Sequence, residues 1–345
     1  MSEPSFEPSP LAPRRTPEEQ ARDRDRGVGS VVSHQAAHQQ FAEEVEYYLS
    51  LAPRQLPSRY FYDELGSALF ELISRLPWYR ITRTERRLLG AHAGDIFARM
   101  APLSTLVELG PGNGEKLATL IAGRSHPGMS VHLVDVSGAA LEAATRALTI
   151  HTDLVLSAHQ ATYDAGLAEI THKQRTTGRL LVLFLGSNIG NFDPPAADAL
   201  LRNIRAALEE GDAVLLGADL VKPERDLLLA YDDPLGVTAA FNRNLLVRAN
   251  RELGADFAVD GFTHRAVWKA DASRIEMHLV SARRQRVRVP AARLDITFEA
   301  GEPIWTESSH KYRQNDVHAM LDRAGFGAIE QWVEDGFALT LAEAR

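Results

Sequence analysis

Residues 105–116 read TLVELGPGNGEK. The apolar run VEL ends directly in Gly110, Gly112 and Gly114, and helix-forming residues follow. Without a Cβ, such a segment can turn sharply at a strand end and bring its backbone close to a ligand. A glycine-rich turn in isolation is equally compatible with a tight strand-to-helix connection. Its spacing is GxGxG, without the third glycine of the dinucleotide fingerprint GxGxxG. Asp135, 25 residues beyond Gly110, closes the run HLVDVS, where a carboxylate can accept hydrogen bonds from a ribose diol. Ser137 is better placed than Asp135 to cap the helix that follows.

Outward from this turn the pattern repeats. VELG, VHLVDVS, RLLVLFLG and AVLLGADL read as buried parallel strands, and helical stretches follow the first three. This alternation predicts an α/β fold with a doubly wound, Rossmann-like core. Upstream, FAEEVEYYLS and SALFELISRL have helical spacing, the second with Leu69, Phe70, Leu72, Ile73 and Leu76 on one stripe and Pro77 as its stop. Residues 222–310 break the rhythm: a helix containing FNRNLLVRANREL leads into RIEMHLVSA, RQRVRVPAARL and DITFEAG, which predict an antiparallel meander. The tail supplies a helix, NDVHAMLDRAGF, and two strands, AIEQWVED and FALTLAEA. Residues 1–35 combine Pro, Ser, Glu and Arg with few large apolar side chains and are expected to be disordered.

Composition narrows the function. The net charge of -8 argues against a nucleic-acid partner, which calls for a basic face. With no cysteine there is no disulfide framework, thiolate metal site or cysteine nucleophile, as expected of a cytoplasmic protein. No apolar run reaches the roughly 20 residues of a membrane helix. The 12 histidines form no HxxxH or HExxH pair outside the tail, so no metal is expected.

Among adenosine-bearing cofactors, a dinucleotide would favour a helix N-terminus facing its pyrophosphate, whereas this turn runs into Glu115 and Lys116. S-adenosylmethionine carries no phosphate, and Lys116 can stand near its carboxylate. The loop GSNIGNF follows RLLVLFL at the carboxyl edge of the sheet, where open α/β folds bind ligands. Gly186 opens it beside the cofactor, and Asn188 and Asn191 can offer carboxamides to a substrate.

The blocks YFYDELGSALFELISRLPWYRITRTERRLL, VELGPGNGEK, FLGSNIGN, AYDDPLGVTAAFNRNLL, NRELGADF, RIEMHLVS and TESSHKY keep their order and spacing from about residue 40 to the end. Together they resemble the histidine-specific Nα-methyltransferase family of ergothioneine biosynthesis. The resemblance implies an S-adenosylmethionine-binding core over 84–221 and 311–345, and a substrate-binding α+β domain over 36–83 and 222–310. It implies L-histidine as the free amino-acid acceptor, methylated up to the trimethyl betaine hercynine. Tyr62, Tyr79 and Tyr231 would surround the substrate carboxylate, and Asn191 would orient the amine. Glu307 and Ser309 would recognise the imidazole, with Met277 packed beside it. On the cofactor side it implies Gly110, Gly112, Lys116, Asp135 and Gly186, with Thr162 and Tyr163 where the family has an adenine-flanking Asp and Phe. The chain departs from the family pattern there, at Pro111, Asn113 and Gly114 in the turn, and at Asn188, where a hydroxyl residue is usual. The departures leave two alternatives: a related enzyme acting on another amino acid or small amine, and a non-catalytic cofactor-binding homologue. A monomer without nucleic-acid or membrane partners is expected.

Overall fold

The computed structural model describes residues 35–123, 127–151 and 153–345. The expectation of a disordered tail over 1–35 lies outside the described residues, except at Gln35, which is already helical. The described residues begin with a helix over 35–49 (α1), a two-residue strand β1 (Arg54–Gln55) and helices α2 (Glu64–Arg75) and α3 (Ile81–Arg99). The Asp63 carboxylate starts α2 by accepting from Gly66 N at 2.7 Å, and extended Leu76, followed by Pro77, stops it. Leu72 departs from the expected apolar stripe: it is 52% exposed, because adjacent residues of a helix point about 100° apart and Ile73 takes the buried face. The expected domain boundary after residue 83 falls inside α3, which buries Ile81, Thr84, Glu85, Leu88, Leu89, Ala93 and Ile96 along one face.

The core alternates as the sequence predicts: β2 (Leu103–Leu109), α4 (Glu115–Ile121), β3 (Ser130–Asp135), α5 (Gly138–Leu148), β4 (Val155–Gln160), α6 (Tyr163–Lys173), β5 (Arg179–Phe184), α7 (Pro194–Ala206) and β6 (Ala213–Asp219). These five strands are parallel in the order β4-β3-β2-β5-β6. Succession therefore runs outward from β2 to β4, then jumps back across β2 to β5. That reversal opens a crevice at the carboxyl ends of β2 and β5, where the glycine turn and GSNIGNF both emerge. β4 is not among the four runs named above because it is an edge strand whose residues are only half-buried or exposed.

Downstream of the core come α8 (Glu224–Tyr231), α9 (Val237–Leu253), β7 (Phe262–Lys269), β8 (Arg274–Ser281), β9 (Gln285–Val289), β10 (Leu294–Phe298) and β11 (Pro303–His310). The predicted single meander is corrected here. β8 pairs with β7 and β11 in a four-stranded sheet, β1-β11-β8-β7, whereas β9 and β10 pair only with each other. Alternating hydrophobicity marks residues as strand but does not choose their partners. The tail forms α10 (Gln314–Arg323), β12 (Phe326–Glu334) and β13 (Phe337–Ala344). β13 runs antiparallel between β6 and β12, completing a seven-stranded sheet.

Alternate residues of the core strands feed two apolar clusters. Val107, Val134, Val182 and Val214 face one side, and Leu106, Val131, Leu181 and Leu215 the other. The second cluster continues through Phe241, Leu245, Ile275 and Leu279, so one continuous core joins the two sheets. The chain leaves β6 and returns before α10 at the same point: Tyr312 N donates to Asp219 O at 3.0 Å and Val221 N to Tyr312 O at 2.9 Å. Among the described residues no helix is long and apolar enough to cross a membrane.

Candidate active site

Three glycines in the first turn all adopt positive φ, but for different surroundings. A Cβ on Gly110 (φ +73°) would stand 2.8 Å from Tyr163 Oη and 3.1 Å from Asn188 Nδ2, inside the crevice. On Gly114 it would meet the Ala144 Cα of α5 at 2.8 Å, whereas on Gly112 it would meet nothing within 4 Å. Gly110 thus clears the site, Gly114 lets two helices approach, and Gly112 meets only the backbone demand of a left-handed conformation.

Lys116, the second residue of α4, pairs with Glu85 Oε2 at 2.8 Å. Glu85 is fully buried, and both its oxygens accept from Gly186 N, at 2.8 and 2.9 Å. Gly217 of β6 makes room for it, since a Cβ there would lie 2.1 Å from Glu85 Oε1. Gly186 (φ +79°) likewise makes room for Lys116, whose Nζ would stand 2.6 Å from an added Cβ. Glu108, near the end of β2, is buried with Oε2 unpartnered, and burial pushes its carboxyl up to about 8 against the pull of Lys116.

Asp135 accepts from Ser137 N at 2.8 Å, and burial raises its carboxyl above the usual range. Ser137 caps α5, as the sequence suggested. Thr162 caps α6 by accepting from Ala165 N at 3.4 Å, so its hydroxyl is partly spent on the helix. Tyr163 reaches across to Gly110 and meets the Phe184 ring edge-on at 5.6 Å.

The donor set fits S-adenosylmethionine. Lys116 and the unpartnered Glu108 oxygen suit the charged groups of an aminoacyl end, Asp135 suits a diol, and the Cβ-free space at Gly110 admits close approach.

Beside this crevice lies a pocket of about 510 Å³, its open mouth included. Tyr62, Tyr79, Asn188, Asn191, Tyr231, Met277, Glu307 and Ser309 all line it, together with Gly186. They come from the segment before α2, the loop before α3, the turn after β5, the end of α8, and the facing strands β8 and β11. Met277 is the direct cross-strand partner of Glu307, next to a bulge between Trp305 and Glu307. Neither the Asn188 nor the Asn191 carboxamide is hydrogen-bonded to another described residue, and Asn191 is exposed at the open side. Tyr62, 37% exposed, also lies towards the mouth, whereas Tyr79 and Tyr231 are buried.

Burial dominates the electrostatics. It holds the Tyr79 and Tyr231 phenols well above their usual range, reinforced by neighbouring Tyr231 and Glu307 for the first and by Asp219 and Glu307 for the second. Both therefore stay neutral hydroxyl donors at ordinary pH. Burial also lifts the Glu307 carboxyl to about 7, opposed by Lys311. The Tyr231 and Ser309 hydroxyls lie 2.8 Å apart.

Several residues here escaped the sequence reading. Glu85 sits on a helix, where a carboxylate in TRTERRLL passes for a solvated side chain. Asp219 ends a strand without a motif of its own. Thr238 and Phe241 of α9 line the pocket inside an ordinary helical pattern. Lys311 was discernible in principle: it continues the alternation Glu307, Ser309, Lys311.

A doubly wound sheet whose one antiparallel strand is β13, with a glycine-lined crevice at the carboxyl ends of β2 and β5 beside a pocket lined by tyrosines, asparagines and Glu307, defines an S-adenosylmethionine-dependent methyltransferase. Residues 41–344 match the family described as histidine-specific methyltransferase, SAM-dependent, and the chain belongs to it. It is 40% identical to histidine N-alpha-methyltransferase of Mycolicibacterium smegmatis, over 91% of this chain and 98% of that protein. The Mycobacterium tuberculosis enzyme of the same name is 41% identical over the same shares. Ergothioneine biosynthesis protein 1 of Neurospora crassa is 26% identical over 81% of this chain and 32% of its own length.

Proposed function

We propose that the protein methylates the α-amino group of free L-histidine, in up to three rounds, to give hercynine. The observation that carries this reading is the pairing of Glu307 and Ser309 deep in a pocket that shares Gly186 and Asn188 with the cofactor crevice. S-adenosylmethionine, when bound, supplies an electrophilic methyl group on a sulfonium. Gly110, Gly112, Lys116, Asp135, Gly186 and the Thr162–Tyr163 corner are the residues proposed to hold it. The pocket residues then have to present an uncharged amine at about 3–3.5 Å from that carbon, so positioning is their main contribution. Asn191 accepts a hydrogen bond from the remaining amine N–H, and the phenols of Tyr62, Tyr79 and Tyr231 donate to the carboxylate without adding a fixed charge. Ser309 and Glu307 satisfy the two ring nitrogens, while Met277 packs against the ring. A side chain without those nitrogens would leave Glu307 buried and unpaired, which is the basis of selectivity.

The chemistry needs neither a metal nor a covalent nucleophile. A monomer acting on a free amino acid is part of this proposal, and the net charge of -8 supports a partner other than nucleic acid. The lack of cysteine supports a cytoplasmic setting. The substrate-binding part is proposed to comprise 36–83 and 222–310, hinged to the core along α3. Asn188, whose carboxamide replaces the family's usual hydroxyl beside the amine, favours a second reading in which a different or partly methylated amino acid is the acceptor. Incubation with S-adenosylmethionine and a panel of free amino acids, read by mass for one, two or three added methyl groups, decides between them. Histidine left unmodified while another acceptor gains mass overturns the first reading, and cofactor binding with no product from any amino acid overturns both.

A further inference from the structure

Lys311 has no part in the reading above, yet its ammonium lies immediately behind the pocket wall. It follows Ser309 by two residues on extended backbone, so it emerges on the face that carries Glu307 and Ser309. Its side chain is wholly buried. Three acceptors match its three N–H groups: Asp219 Oδ2 at 2.9 Å, Tyr231 Oη at 2.8 Å and Ser309 Oγ at 2.8 Å. Asp219 is shared with Lys222 on its other oxygen, so two ammonium groups stand against one carboxylate. Among the described residues no lysine or arginine lines the pocket itself, and Glu307 is the one that brings a carboxyl group. On the proposed histidine reading, a substrate carboxylate enters this cation-free space.

We propose that Lys311 is a positioning residue that supplies the positive charge for the substrate carboxylate, relayed through the Tyr231 hydroxyl, and fixes the direction of the hydrogen bonds around the ligand. Lysine donates and cannot accept, so both hydroxyl oxygens accept from it. The 2.8 Å contact between Tyr231 and Ser309 uses one of the two hydroxyl hydrogens, leaving one for the pocket. A carboxylate only accepts, so that hydrogen belongs to Tyr231, and Ser309 donates to Tyr231. Ser309 then keeps a lone pair for the ring, which it reads as an N–H donor. The remaining ring nitrogen faces Glu307, with one proton between them.

The test is calorimetric titration of the full chain, saturated with S-adenosylhomocysteine, with L-histidine and with L-histidinamide, which keeps the imidazole and amine but has no carboxylate charge. The unaltered chain should prefer histidine by about 100-fold. Lys311→Met should narrow that preference at least about tenfold, with KM for histidine rising and kcat changing less than about threefold. Tyr231→Phe should narrow it similarly, and the double variant no further than either single one, because both cut one relay. Lys311→Met weakening both ligands equally, or additive effects in the double variant, overturns the proposal by reducing Lys311 to structural support. Tyr231→Phe leaves the Lys311–Asp219 pair in place, so an undiminished preference there also overturns it, even if Lys311→Met fails to fold. An unaltered chain that binds cofactor but neither ligand defeats the histidine reading, and this proposal with it.

Discussion

The two halves of the proposed site, one for cofactor and one for acceptor, are built by different means. On the cofactor side the backbone does the shaping: Gly110 and Gly186 adopt conformations that L side chains resist, and an added Cβ would collide with Tyr163 at one and Lys116 at the other. On the acceptor side the shaping is done by long side chains gathered from residues 62 to 309, with no local sequence pattern in common. The first half should therefore fail through strain and the second through lost partners. Deletions in the second should change which molecule is accepted while leaving cofactor affinity alone.

The largest expected effect is in the acceptor half. Glu307→Ala should lower kcat/KM for histidine by about 10³-fold while cofactor affinity stays within about threefold, by steady-state kinetics and calorimetry. A matching loss of cofactor affinity would erase the division between the halves. Gly110→Ala should do the converse, weakening S-adenosylmethionine binding by about 10²-fold, since left-handed backbone and a blocked crevice are penalised together. Unchanged affinity there would show that Tyr163 and Asn188 withdraw freely.

A smaller effect separates the halves by pH. Glu108 keeps a proton when folded, its carboxyl held near 8, that the unfolded chain releases near 4.5. The folded state thus binds more protons between those values, and stability falls as pH rises from about 4.5 to about 8. Glu108→Gln should stabilise the ligand-free protein at pH 8.5 by on the order of 3 kcal/mol, and by progressively less toward pH 5, in urea melts. A pH-independent difference would contradict this. The smallest effect is at the start of α6, where Thr162→Ala should cost about 1 kcal/mol through loss of the helix cap, seen as a drop of a few degrees in Tm. A loss of cofactor affinity larger than that of stability would give Thr162 a direct binding role.

The same contrast explains what could be read in the sequence. The parallel strands were legible because β2, β3, β5 and β6 are buried on both faces and appear as unbroken apolar runs. Half-exposed β4 was not among the named runs, and the pairing of β8 with β7 and β11 instead of β9 is a tertiary choice that alternation cannot encode. Among the proposed site residues, the glycine turn and Asp135 were singled out by spacing alone. Tyr62, Tyr231 and Glu307 entered only through the family resemblance, since a lone tyrosine or glutamate looks the same in a wall as on a surface. Glu85 was missed even so: its burial depends on Gly217, a residue of a strand far along the chain.

One join in the chain has a bearing on how such proteins diversify. The peptide leaves the cofactor sheet at Asp219 and rejoins it at Tyr312, with main-chain hydrogen bonds between the two points. A segment whose ends are already held side by side closes as a short loop would, whatever its length, so the sheet is little disturbed by what it carries. The segment proposed to recognise the acceptor is in that sense a cassette. Its residues can be exchanged or enlarged to suit another amine without redesign of the sheet, provided that Asp219 and Lys311 continue to fasten its two ends together.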